Sequence, residues 1–77
     1  MSIRAYVLIN TQIGKTQKVA EELKKIPEVK KIDIIMGPYD IIIEIEVSAY
    51  EDISEILLNK LQNIPAIHHT MTCPVVE

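Results

Sequence analysis

From Ile3 to Asn10 the chain alternates: Ile3, Ala5, Val7 and Ile9 hold one parity, and Arg4, Tyr6, Leu8 and Asn10 the other. A period of two is that of a strand with one buried face, so a first strand is predicted over Ile3–Asn10. Past a loop, Thr11–Lys15, which carries Gly14, the period lengthens. Val19, Ala20, Leu23 and Ile26 fall on one stripe of a helix over Thr16–Ile26, with Lys18, Glu21, Glu22, Lys24 and Lys25 elsewhere. Pro27 ends that helix, because a proline disfavours helical geometry at the residue before it. Two β-rich runs follow, Val29–Met36 and Ile41–Val47, joined by Gly37-Pro38-Tyr39-Asp40 as the turn of a hairpin. The second helix opens on Ser48-Ala49-Tyr50-Glu51, read as a capping box in which Ser48 and Glu51 each satisfy a free backbone N–H. Its stripe is Ile53, Ile56, Leu57, Leu61 and Ile64; Pro65 closes it, and a last strand runs over Ile67–Pro74.

The two halves echo each other. A shift of 38 residues lays Ile3, Ala5, Val7 and Ile9 on Ile41, Ile43, Ile45 and Val47, and Pro27 on Pro65. Each half therefore reads strand, helix, strand, and the whole reads βαββαβ. Right-handed crossovers place both helices on one face of a four-stranded antiparallel sheet, the ferredoxin-like α+β arrangement. The other face is left bare. With Ile3, Val7, Ile43 and Val47 toward the helices, the opposite parity carries Tyr6, Leu8 and Ile42 beside Arg4, Glu44 and Glu46. That surface is too apolar to stand open, and it suits a second subunit, as in a dimeric α+β barrel.

Length supports the same expectation. Seventy-seven residues make a single domain over residues 1–77, and a domain of this size buries only about 60% of its unfolded surface. Its single cysteine, Cys73, excludes an internal disulfide, and no C-x-x-C pair suggests a metal. Oligomerisation remains as the source of extra burial. The N-terminus lacks the pattern of a signal peptide, and no apolar run approaches the about 20 residues that span a bilayer, so the expected compartment is the cytoplasm. A net charge of −3, with the basic residues interspersed among acids, is the wrong sign for a nucleic-acid footprint. Many Ile, Lys and Glu residues with no Trp or Phe point to a thermophilic source.

The hairpin tip is the first candidate site. Gly37 permits positive φ and Pro38 fixes its own φ, as a turn requires. A turn does not require an aromatic and an acid in tandem, and Tyr39-Asp40 supplies both. Thr70 and Thr72 form the second candidate, since residues i and i+2 of a strand present their hydroxyls on one face. His68 and His69 point to opposite faces of a strand and cannot chelate one ion together. Cys73 has no neighbouring cation or second cysteine to activate it. Glu44 and Glu46 share a strand face as a charged edge, a mouth lining or a cross-subunit contact. No catalytic constellation and no cofactor motif stands out.

The opening RAYVLINT, the helix VAEELKKIPEVKKI, the loop GPYD and the closing IP-x-I-x-x-T-x-T resemble the effector-binding domain of Lrp/AsnC-type regulators, the RAM domain. The resemblance covers essentially the whole chain, and its specific motifs are the G-x-Y/F-D loop and the two threonines. It implies dimers packed through their bare sheet faces, gathered into octameric or decameric rings, with amino-acid effectors in clefts between dimers. Carried over, Gly37, Tyr39 and Asp40 form the loop side of that cleft, and Thr70 and Thr72 contribute from the last strand. Loop N–H groups and hydroxyls suit a carboxylate, and Asp40 suits an ammonium.

Family transcription factors carry an N-terminal helix-turn-helix domain, whereas this sequence begins at the first strand. The expectation is thus a stand-alone amino-acid sensor and oligomerisation module that modulates transcription through partners, among them full-length Lrp/AsnC regulators. It is expected neither to bind DNA directly, nor to act on a membrane, nor to be an enzyme. Two rivals share the strand order: an ACT-like regulatory domain, and a cofactor-independent enzyme on a dimeric α+β barrel.

Overall fold

The computed structural model describes residues 2–76. Its elements run β1 (Ile3–Thr11), α1 (Thr16–Leu23), β2 (Val29–Ile34), β3 (Ile41–Val47), α2 (Tyr50–Ile56) and β4 (Ile67–Pro74). The strands form one antiparallel sheet in the order β2-β3-β1-β4, with β1 and β3 central. This is the ferredoxin-like α+β fold expected from the alternating pattern.

Parity decides what is buried. Ala5, Val7 and Ile9 of β1 and Ile41, Ile43 and Ile45 of β3 are all 0–1% exposed, in register across the central pair as Ile9↔Ile41, Val7↔Ile43 and Ala5↔Ile45. Over them pack Val19, Ala20 and Leu23 of α1 and Ile53 and Ile56 of α2. Each of the Val, Leu and Ile side chains contributes about 1.5–3 kcal/mol by leaving water. The opposite parity stays open: Tyr6 and Met71 are exposed, and Leu8 and Ile42 half-buried. Arg4 pairs with Glu44 on that surface, and Ser2 donates to Glu46 at 2.8 Å. Because β3 is a central strand, Glu44 and Glu46 do not line an edge.

Several boundaries depart from the sequence reading, each for a local reason. Helix α1 stops at Leu23 rather than Ile26, and its last turn tightens, Lys25 N–H donating to the Glu22 carbonyl at 3.2 Å and Ile26 N–H to that of Leu23 at 3.1 Å. Pro27 makes α-geometry unfavourable at Ile26, and shorter i→i−3 bonds resolve the conflict. Strand β2 ends at Ile34, leaving Met36 in the hairpin loop and fully exposed. The capping box of α2 lies one residue later than expected. Ala49 is the N-cap, and Asp52, not Glu51, accepts its backbone N–H at 3.1 Å, while Ser48 makes no cap. Strand β4 matches the expectation at both ends.

Beyond Ile56 the helix widens into a π-helical turn, Leu57–Leu61, with Gln62 N–H donating to the Leu57 carbonyl at 3.1 Å. The widening seats Leu61 in the core and presents Lys60 to Glu28, Nζ to Oε1 at 2.7 Å. That hydrogen bond, with a smaller backbone contribution, holds the Glu28 carboxyl below the usual carboxylate range. A carboxylate depressed in the folded state stabilises the fold above its unfolded pKa, about 4.3, and that contribution is lost as pH falls through the folded value. The pair is a third exposed, so it is worth at most about 1 kcal/mol. Denaturant titration of Lys60→Met should show that deficit at neutral pH, and the difference from the parent chain should shrink and then vanish as pH falls through the depressed folded-state value of Glu28.

Candidate functional site

The hairpin between β2 and β3 is closed by Ile35 N–H donating to the Asp40 carbonyl at 2.9 Å. Within it Gly37 has φ +152, a conformation that L side chains rarely adopt, and an added Cβ would meet no atom within 4 Å. The glycine is therefore required by backbone geometry and not by crowding. Asp40 then ties the loop to β1. Its N–H donates to the Ile9 carbonyl at 3.0 Å, and its carboxylate Oδ2 accepts the Thr11 backbone N–H at 2.8 Å. The Thr11 hydroxyl reaches the same oxygen at 3.3 Å and lies 2.7 Å from the Thr16 hydroxyl at the start of α1. Both of these contacts to the carboxylate use Oδ2; Oδ1 makes no hydrogen bond among the described residues.

Tyr39 lies against β4. Its ring stacks on His69, centroids 6.4 Å apart and planes 23° from parallel. Its hydroxyl approaches Met71 Sδ at 3.9 Å. In the β1–β4 register Asn10 opposes His69 and Leu8 opposes Met71, so Tyr39 covers the sheet face that carries no helix. Thr70 and Thr72 oppose Ile9 and Val7, and so leave β4 by the helix-side face. Thr70 borders a cleft of about 310 Å³ with Leu61, Gln62, Ile67, His68 and His69.

The five expected site residues thus divide. Gly37, Tyr39 and Asp40 share a loop, while Thr70 stands across β1 from Asp40, about 10 Å away by two strand spacings. Thr72 sits two residues farther along β4. Four residues that sequence reasoning did not assign to the site join it: Thr11 through hydrogen bonds to Asp40, Thr16 through its contact with Thr11, and His69 and Met71 through Tyr39. Only the side-chain bonds across the fold reveal them. His68 occupies a β-bulge, since Asn10 pairs with His69 while Thr11 pairs with Ile67. Nearby, Ala66 takes φ +75, costly for a residue with a Cβ, and its carbonyl accepts the Gln12 N–H at 2.8 Å.

A four-stranded ferredoxin-like sheet with a Gly-x-Tyr-Asp loop pinned to the end of its central strand defines a small α+β domain with one open face. The family model for the Lrp/AsnC ligand binding domain matches residues 4–77, and the chain belongs to that family. An uncharacterised HTH-type transcriptional regulator of Pyrococcus furiosus is 37% identical over 71 residues, covering 88% of this chain and 47% of that protein. The chain spans about half the length of the curated relatives it matches. A solved hypothetical protein of Pyrococcus horikoshii superposes with a TM-score of 0.90 at 31% identity, covering 97% of this chain and 90% of the other. A transcriptional regulator from Neisseria meningitidis, solved as its L-Met complex, shares the fold: TM-score 0.88, 16% identity, 97% of this chain and 50% of that one. Relatives from Pyrococcus agree with a thermophilic or archaeal composition, and among the described residues no helix is long and apolar enough to cross a membrane.

If Asp40 holds the loop as described, Asp40→Ala strips the acceptor from the Thr11 N–H. Urea denaturation should report a loss of about 1.5 kcal/mol, the lower end for a charged acceptor because water reaches this half-buried group.

Proposed function

We propose that this chain is an amino-acid sensor of the Lrp/AsnC type: a cytoplasmic module that binds a free amino acid and modulates transcription through partner regulators, without catalysis. The observation that supports it most is the Asp40 carboxylate held in place through Oδ2, with Oδ1 making no hydrogen bond among the described residues. An acceptor oriented in advance suits an ammonium, because little freedom is lost when the ligand arrives. Gly37 and Tyr39 complete the loop wall, and the Thr70 and Thr72 hydroxyls supply donors for the ligand carboxylate. The L-Met complex of the neisserial regulator supports the ligand class.

Tyr39 lies on the open face of the sheet and the threonines leave β4 by the helix-side face, so one small molecule meets both only at the open edge of β4 or between chains. This favours a shared cleft, and with it an assembly of dimers into octamers or decamers. The open sheet face supports the dimer, with Tyr6 and Met71 exposed upon it. Light scattering at micromolar concentration should find at least a dimer; a stable folded monomer would rule out the shared cleft. With a net charge of −3, the chain alone should give no mobility shift on DNA at physiological salt.

The deciding experiment is calorimetric titration with whichever amino acid stabilises the chain in a thermal-shift screen. Asp40→Asn preserves shape and can still accept from Thr11, but it removes the charge. A charge-assisted hydrogen bond is worth about 1.5–3 kcal/mol, so affinity should fall about ten- to a hundredfold. Thr72→Val removes one neutral hydroxyl and should cost less. Unchanged binding by Asp40→Asn would reduce the loop to a turn.

A further inference from the structure

We infer that Thr11 and Thr16 are positioning residues of the effector loop, making the first turn of α1 part of the same site through a directional chain of hydroxyls ending on Asp40. The inference rests on the sensor reading for its ligand, and on geometry alone for its coupling. Asp40 Oδ2, Thr11 Oγ1 and Thr16 Oγ1 are joined by contacts of 3.3 and 2.7 Å, and all three residues are half-buried.

An ionised carboxylate only accepts, and a hydroxyl has a single proton to give. The Thr11 hydroxyl therefore donates to Asp40, and the Thr16 hydroxyl must donate to Thr11. The charge at Asp40 sets the sense of the whole chain, and each bond polarises the next. Its far end is the first residue of α1, whose N-cap, Lys15, makes no side-chain cap. The near end is the oxygen that fixes how Asp40 presents Oδ1 and how Tyr39 is laid beside His69 and Met71. A ligand cation drawing charge toward Oδ1 weakens Oδ2 as an acceptor, and the change is felt at α1. In the other direction, loosening Thr16 frees the loop.

The test uses the whole chain and has two arms. In the first, without ligand, amide hydrogen exchange is followed at Thr11, Ile35 and Asp40, whose N–H groups are hydrogen-bonded where the loop meets β1, in Thr16→Val, which keeps the shape and lacks the hydroxyl. Exchange there should quicken about fivefold, the equivalent of one neutral hydrogen bond. Thr16→Ser should restore the parent rate. A substitution that merely loosened α1 would speed exchange within the helix and leave the loop unchanged, and that result overturns the proposal. A Thr11→Val and Thr16→Val double mutant should be no worse than Thr11→Val alone, since either breaks the same chain; additive losses would overturn it. In the second arm, Thr16→Val should weaken the amino acid selected by the screen by a similar factor. If that ligand binds but Thr16→Val alters neither exchange nor affinity, the coupling is wrong and the sensor stands. If no amino acid binds, the sensor reading fails, and the first arm still decides the coupling.

Discussion

Complete burial of one parity of the two central strands is the constraint on which this molecule rests. Ala5, Val7 and Ile9 with Ile41, Ile43 and Ile45 form a continuous apolar strip in strict register. Both helices are spent covering it, because each crossover returns to the same side. The consequence is a two-layer domain whose second sheet face has no cover of its own. Tyr6, Leu8, Ile42 and Met71 on that face, stitched at one end by Arg4 and Glu44, form the surface on which the proposed dimer rests.

The same sheet governs the loop end. Asp40 acts twice along β1, giving its N–H to Ile9 and taking the N–H of Thr11 on its side chain. A carboxylate there extends the grip of β3 on β1 to the residue before its first. This explains how a loop containing Gly37 and Pro38 can still present Tyr39 in one place. A loop proposed to bind a ligand needs a rigid frame more than it needs length, and here the frame is β1 itself.

Fold class, strand parity and the bounds of β3 and β4 were legible because period-two alternation is a strong local signal, and Val or Ile at every second position leaves little ambiguity. The errors fell where two local signals competed. Ser48-x-x-Glu51 and Ala49-x-x-Asp52 are offset by one residue, and the shorter acid closed on the backbone. The stripe through Ile26 continued past the point where Pro27 makes α-geometry unfavourable. The π-helical turn at Leu57–Leu61 left no trace in the sequence, since no Gly or Pro marks it and the apolar spacing fits an α-helix equally well. At the site, Gly37, Tyr39 and Asp40 stood out by type and adjacency. Thr11 and Thr16 did not, because their role depends on a hydroxyl contact with a residue in another element.

The central claim is that the Gly37–Asp40 loop and the threonines of β4 face a bound amino acid. Backbone amide chemical shifts followed during titration with the selected amino acid test it most directly. The account predicts the largest changes at Gly37, Tyr39, Asp40, Thr70 and Thr72, with a smaller set at Thr11 and Thr16. Saturable changes confined instead to the opposite end of the sheet, around Glu28, Glu46 and Lys60, would contradict it.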